Sequence, residues 1–160
     1  IRGAVTFSVP TDLAGSCSQL EKWYNRVYMK RFLKNLKSKL ITKQRLYPDQ
    51  ISLNNYDEIK SFRDFDDRYT APIHGFDNAN DYYTQCSSKQ YKDINIPTLI
   101  VNAKDDPFLS ENCFPIQECE NHEKVSLEIP NGGGHVGFIL AGGVYWSEKR
   151  TLEFFRQINT

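Results

Sequence analysis

The segment Pro97-Thr98-Leu99-Ile100-Val101-Asn102-Ala103, running into Lys104-Asp105-Asp106-Pro107, constrains this chain more than any other. An almost continuously apolar run, rich in β-branched residues and opened by a proline, predicts a strand covered on both faces, the setting of a parallel sheet. Parallel neighbours require long crossovers, so the remaining sequence must supply further strands and the helices that cover them. Two segments qualify as strands: residues 4–9, closed by Pro10, and residues 125–129, closed by Pro130.

Helical periodicity fills the space between. Leu20, Trp23, Tyr24, Val27 and Tyr28, then Phe32, Leu33, Leu36 and Leu40, recur at three- and four-residue steps. They predict an amphipathic helix or helix pair that Pro48 limits. A shorter helix is expected over residues 78–86. A last one is expected over residues 145–158, with Ser147 or a neighbour capping its start and Leu152, Phe155 and Ile158 on one face. Strands separated by helices in this order define an α/β domain with about three parallel strands. Residues 11–96 far exceed an ordinary crossover, so most of that stretch is expected to be an inserted helical cap.

Composition excludes several classes. At 160 residues, 39% hydrophobic and 13% aromatic, the chain suits one folded domain rather than a disordered segment. No apolar run reaches the roughly 18–20 residues of a bilayer-spanning helix, and the segment after Ile1 reads as strand rather than as a secretory leader. Twenty basic and twenty acidic residues cancel, which gives no case for nucleic-acid binding by the chain as a whole. The cations are nonetheless uneven: nine fall in residues 22–45, where no acid occurs. Such a run can mark a membrane-surface helix. The expectation is instead a solvated face whose Trp, Tyr and Leu neighbours pack inside the cap.

Cys17, Cys86, Cys113 and Cys119 are too scattered for a disulfide framework, and reduced thiols in a cytoplasmic protein are expected. Cys113, Cys119 and His122 fit no zinc spacing, so neither metal nor cofactor is expected.

The chemistry-bearing residues follow the second and third strands. Asp105 and Asp106 come directly after one, and Asn131-Gly132-Gly133-Gly134-His135-Val136-Gly137-Phe138 after the other. Ligands and catalytic groups of open parallel sheets sit at these C-terminal strand ends. An acid and a histidine presented there can form the orienting half of a nucleophile–His–acid triad, the carboxylate holding one imidazole nitrogen and leaving the other as a base. Taken singly, the two aspartates are as readily turn caps and His135 a loop histidine; their order along the chain favours the triad. Gly132, Gly134 and Gly137 also satisfy G-x-G-x-x-G, but a dinucleotide site needs a further strand after the helix, and none follows.

The sequence also resembles the YheT-like branch of the α/β-hydrolase superfamily. The resemblance rests on Ser8-Val9-Pro10-Thr11-Asp12-Leu13-Ala14-Gly15, on Phe65-Asp66-Asp67-Arg68-Tyr69-Thr70-Ala71-Pro72 with Gly75-Phe76, and on Asp81-Tyr82-Tyr83 with Cys86-Ser87-Ser88. It continues through Ile96-Pro97-Thr98-Leu99, the segment from Asn102 to Phe108, and Gly132 to Phe138.

The resemblance implies a serine hydrolase acting on small-molecule or lipid-like carboxylic esters, with triad order Ser, Asp, His. Asp106 matches the family acid, with Asp105 as fallback, and His135 matches the family histidine. The G-x-S-x-G elbow of that family is missing; Ala14-Gly15-Ser16-Cys17-Ser18 is the nearest imitation. The chain is therefore expected to be the C-terminal half of a hydrolase: residues 1–14 and 91–160 as core, 15–90 as cap, and the nucleophile and oxyanion donors upstream of Ile1. Alone it is expected to be inactive and to self-associate, most simply as a dimer through strand 4–9. The competing expectation is a non-catalytic interaction or assembly module.

Overall fold

The computed structural model describes residues 1–87 and 90–159. In chain order the elements are β1 (Ala4–Phe7), α1 (Leu13–Glu21), α2 (Arg26–Leu46), α3 (Phe62–Phe65), α4 (Ala71–His74), α5 (Ala79–Cys86), β2 (Thr98–Val101), α6 (Ile116–Glu120), β3 (Val125–Glu128) and α7 (Trp146–Gln157). Short 3-10 turns link several of them, and a π-helical turn, Asp66–Thr70, joins α3 to α4. Ser88, one of the residues matched to the hydrolase family, lies outside the described residues. The chain divides into two compact units: residues 1–16 with 87–160, and residues 17–86.

The first unit holds a three-stranded parallel sheet in the order β1-β2-β3, as a partial α/β-hydrolase fold requires. Strand alternation sends Leu99 and Val101 to one face, where they join Phe138, Phe154, Val5, Phe7, Trp146 and Ile158. Ile100 goes to the other face with Tyr91, Cys119, Val125 and Leu127. All four residues of β2 are buried, which accounts for the apolar run in its sequence. The strands are shorter than expected from sequence. β1 stops at Phe7 because Ser8 turns to φ 53°.

The buried polar residues of this unit tie β1 to β2. Asn102 Oδ1 accepts the Val9 N–H at 2.9 Å, and its Nδ2 donates to the carbonyls of Val9 (3.2 Å) and Cys113 (2.7 Å). Fully buried, Asn102 thereby satisfies its amide and holds the chain leaving β1 against the chain leaving β2. Gly15 sits where a Cβ would meet Asp12 Oδ2 and Ser110 Oγ, so only glycine lets α1 start this close to them.

Two expectations for the last helix fail. No side chain caps it: Tyr145 occupies the N-cap position, and Ser147 instead accepts the Thr151 hydroxyl through its carbonyl. Leu152 is exposed, and the buried stripe runs through Phe154 and Ile158, which face the sheet. On the same helix Arg150 grips Glu128, the last residue of β3, with Nε at 2.9 and 3.0 Å from the two carboxylate oxygens.

In the second unit, Met29, Leu33 and Leu40 of α2 pack on Ile51, Tyr56, Ile59, Phe65 and Tyr69. The Tyr56 hydroxyl donates to the Leu33 carbonyl at 2.7 Å, fixing the return segment to the helix. The aromatics at the start of the basic run do not enter this core. Trp23, Tyr24, Val27 and Tyr28 are all exposed, because the buried stripe of α2 lies one helical step further on, at Met29 and Leu33.

The Phe65-Asp66-Asp67 motif enters the π turn. Pro72 has no N–H to return to the Arg68 carbonyl and its ring would press on that group, so the preceding turn widens and the Ala71 N–H reaches Asp66 instead. The two carboxylates then bind α5. Asp67 Oδ1 accepts the Ala79 N–H at 2.6 Å, and Asp66 Oδ2 accepts the Tyr83 hydroxyl at 2.7 Å.

Candidate active site

The turn after β2 and the loop after β3 lie side by side, joined by the Lys104 N–H to the Pro130 carbonyl at 2.9 Å. Asp106 follows β2 by five residues and its carboxylate is fully buried. Oδ1 accepts the Phe108 N–H at 2.9 Å, which fixes the side-chain rotation, and Oδ2 lies 2.9 Å from His135 Nδ1. A carboxylate only accepts, so Nδ1 donates this bond, and in the neutral imidazole that leaves the lone pair on Nε2. Nε2 has no partner among the described residues. The ring is about one-third exposed, and Phe108 packs against it at 4.8 Å between centroids.

The loop bearing His135 is anchored at both ends. Its far end is Phe138, buried between Phe7 (5.4 Å) and Trp146 (6.0 Å), while its carbonyl accepts the Trp146 N–H at 2.6 Å. At the near end Gly134 takes φ 55°, a left-handed conformation that favours glycine. This turns its N–H to Asp105 Oδ1 at 2.8 Å. Asp105, the fallback acid, is thus directed at the loop backbone rather than at the imidazole.

The remaining sequence candidates fall elsewhere. Ser16, from the imitation elbow, is buried on α1 with its hydroxyl 3.2 Å from Cys113 Sγ, and presents no nucleophile at a strand end. Cys113, weighed with Cys119 and His122 as a metal pattern, also lies 3.5 Å from the Ser110 hydroxyl, which donates to Asp12 at 2.9 Å. His122 Nδ1 accepts the Lys124 and Val125 N–H groups, a turn role. Among the described residues no cluster of three metal-ligating side chains occurs. The glycines at 132, 134 and 137 open no helix: the chain turns back on itself and α7 begins only at Trp146, so no pyrophosphate-binding helix start follows β3.

Sequence reasoning missed Ser8. It is buried, holds φ 53° at the C-terminal end of β1, and its hydroxyl has no hydrogen-bond partner among the described residues. Left-handed non-glycine residues concentrate at functional positions. A small polar residue between Phe7 and Val9 carries no sequence signal for such a backbone.

Comparison with known proteins finds relatives over most of the sequence. The chain is 37% identical over 156 residues to a protein of Escherichia coli named "Putative esterase YheT", covering 96% of this chain and 45% of that protein. It is 31% identical over 141 residues to human phospholipase ABHD3, covering 87% of this chain and 34% of that protein. A yeast relative, medium-chain fatty acid ethyl ester synthase/esterase 2, is 36% identical over 101 residues, 62% of this chain and 22% of its own. No family model and no solved structure matches.

The three-stranded parallel sheet and these relatives place the chain in the α/β-hydrolase superfamily. Within that superfamily it belongs to the YheT-like branch and corresponds to its C-terminal region, spanning less than half the length of the relatives it matches.

Proposed function

We propose that this chain supplies the acid and the general base of a serine hydrolase that cleaves carboxylic esters. The observation that carries the proposal is the Asp106–His135 hydrogen bond, formed at the ends of adjacent parallel strands with Nε2 unengaged. In that role Nε2 takes the proton of an attacking serine hydroxyl, and Asp106 fixes the tautomer and stabilises the imidazolium that forms. The serine and its oxyanion donors lie upstream of these 160 residues, so the order is Ser, Asp106, His135.

The names of the relatives support small or lipid-like ester substrates. Residues 15–90, inserted between β1 and β2, act as the cap. Cys17, Cys86, Cys113 and Cys119 are all free thiols, and no helix of the described residues is long and apolar enough to cross a membrane.

Hydrolysis of a short-chain nitrophenyl ester by the full-length protein is the test. Turnover that disappears with His135→Ala supports the reading, and turnover that survives it removes the base from His135. A second reading, an assembly module without chemistry, is favoured by the position of β1 at the sheet edge and predicts no turnover in any form of the protein.

A further inference from the structure

Within the helical unit, α2 and residues 56–64 enclose a cleft of about 1190 Å³. Its floor is apolar, formed by Met29, Leu33 and Ile59. Its walls are cationic. Arg26, Lys30, Lys34 and Lys37 descend one face of α2, opposed by Lys60 and Arg63.

Three acids line this cleft, and two are committed; Glu21, at its rim, accepts the Cys17 thiol at 3.8 Å. Asp57 pairs with Lys37 at 2.6 Å, and Asp64 serves the capping box of α3, accepting the N–H groups of Lys60 and Ser61. Arg26, Lys30 and Lys34 form no salt bridge among the described residues. Trp23 stands at the same cleft with 80% of its surface exposed, and Val27, next in sequence to the cleft-lining Arg26, is 76% exposed.

We propose that this cleft and the Trp23–Tyr28 surface beside it dock on an anionic phospholipid membrane, with phosphate groups between Arg26, Lys30 and Lys34 and the indole of Trp23 in the interface. Unpaired cations beside exposed aromatic and aliphatic side chains match the two-layer chemistry of a bilayer surface. Arg and Lys stems can lie along the apolar floor while their heads reach phosphate. A nucleic acid would engage the cations, but the exposed Val27 has no π face for a base, whereas a hydrocarbon layer takes its apolar surface out of water. The inference is independent of the catalytic assignment, since none of these residues belongs to the Asp106–His135 site.

The test is co-sedimentation of the full-length protein with vesicles of pure phosphatidylcholine and of phosphatidylcholine mixed with phosphatidylserine. Binding is expected to be at least about tenfold tighter on the anionic vesicles and to weaken as salt rises. Combining Arg26→Gln, Lys30→Gln and Lys34→Gln is expected to lower it on the order of a hundredfold, roughly fivefold per cation. Trp23→Ala, at an exposed position, is expected to weaken binding several-fold with an unchanged circular dichroism spectrum.

Equal partition to both vesicle types, or binding unaffected by the triple substitution, overturns the proposal. Displacement by millimolar inorganic phosphate would make the cleft a small-anion site, and tighter binding of single-stranded DNA than of vesicles would make it a nucleic-acid site; either result also overturns it. Hydrolysis of a soluble ester by the triple variant separates this outcome from any failure of the catalytic reading.

Discussion

The carboxylate of Asp105 accepts the backbone N–H of Gly134 at 2.8 Å, one residue ahead of the imidazole that the next carboxylate holds. Adjacent acids at the end of β2 therefore divide between them the backbone and the side chain of one loop. Asp105 is exposed, so its bond is worth less than the buried one at Asp106. Asp105→Ala is expected to speed hydrogen exchange at Gly134 and to lower ester turnover by about tenfold, with Asp105→Asn, which keeps an acceptor oxygen, recovering most of it. Unchanged exchange at Gly134 would leave Asp105 no positioning role.

Asp106→Asn preserves the shape of the buried pair but offers an amide where the imidazole requires an acceptor. A loss of about 10³–10⁴-fold in kcat is expected, with KM nearly unchanged, because the base would sit in the wrong tautomer. Thermal denaturation of the same variant separates this from unfolding. A kcat within tenfold of the parent would remove Asp106 from the mechanism.

Tyr83 provides a handle on the helical unit. Burial, and then its hydrogen bonds to Cys17 and Asp66, push the hydroxyl far above its ordinary 10.0. A raised pKa means that the folded state favours the neutral phenol. Its contribution is complete below about pH 10 and is lost as pH climbs beyond that value. Tyr83→Phe leaves Asp66 with the Thr70 hydroxyl at 2.5 Å and is expected to cost about 1–3 kcal/mol at neutral pH. Denaturant titrations from neutral to alkaline pH should show the difference between the two proteins shrinking above pH 10, and a constant difference would refute the assignment.

β1 lies at an edge of the sheet, with β2 as its partner. The isolated 160-residue chain is expected to self-associate through that edge, most simply as a two-fold dimer, and to hydrolyse esters only at the background rate. Light scattering at micromolar concentration checks the first statement. A Thr6→Lys variant, which places a charge on the edge strand outside the hydrophobic clusters, should return it to monomer.

Much of the first unit was legible because short-range physics decides it. Proline-bounded β-branched runs gave three strands, and the placement of Asp106 and His135 just beyond two of them follows from the sheet's polarity. The remainder depends on contacts that sequence periodicity does not encode. Trp23 and Val27 share the periodicity of Met29 and Leu33 yet lie outside the buried stripe, since which arc of a helix is covered depends on the segments packed against it. The wide turn at Asp66–Thr70 comes from one proline acting on a carbonyl four residues earlier. Ser8 leaves the strand region because Asn102, 93 positions away from Val9, pins the next residue.

That separation also sets an order of assembly. Thr98 pairs with Val125 after a short crossover, whereas Ala4 must find Thr98 across the whole helical insertion. Loop closure costs grow with the logarithm of length, so the first pairing is favoured over the second by only about 1 kcal/mol of chain entropy. In rate the asymmetry is larger, since a distant strand is repaid only after its docking surface exists. The β2–β3 pair, with the acid and histidine beyond its tips, is therefore expected to form before β1 docks on it.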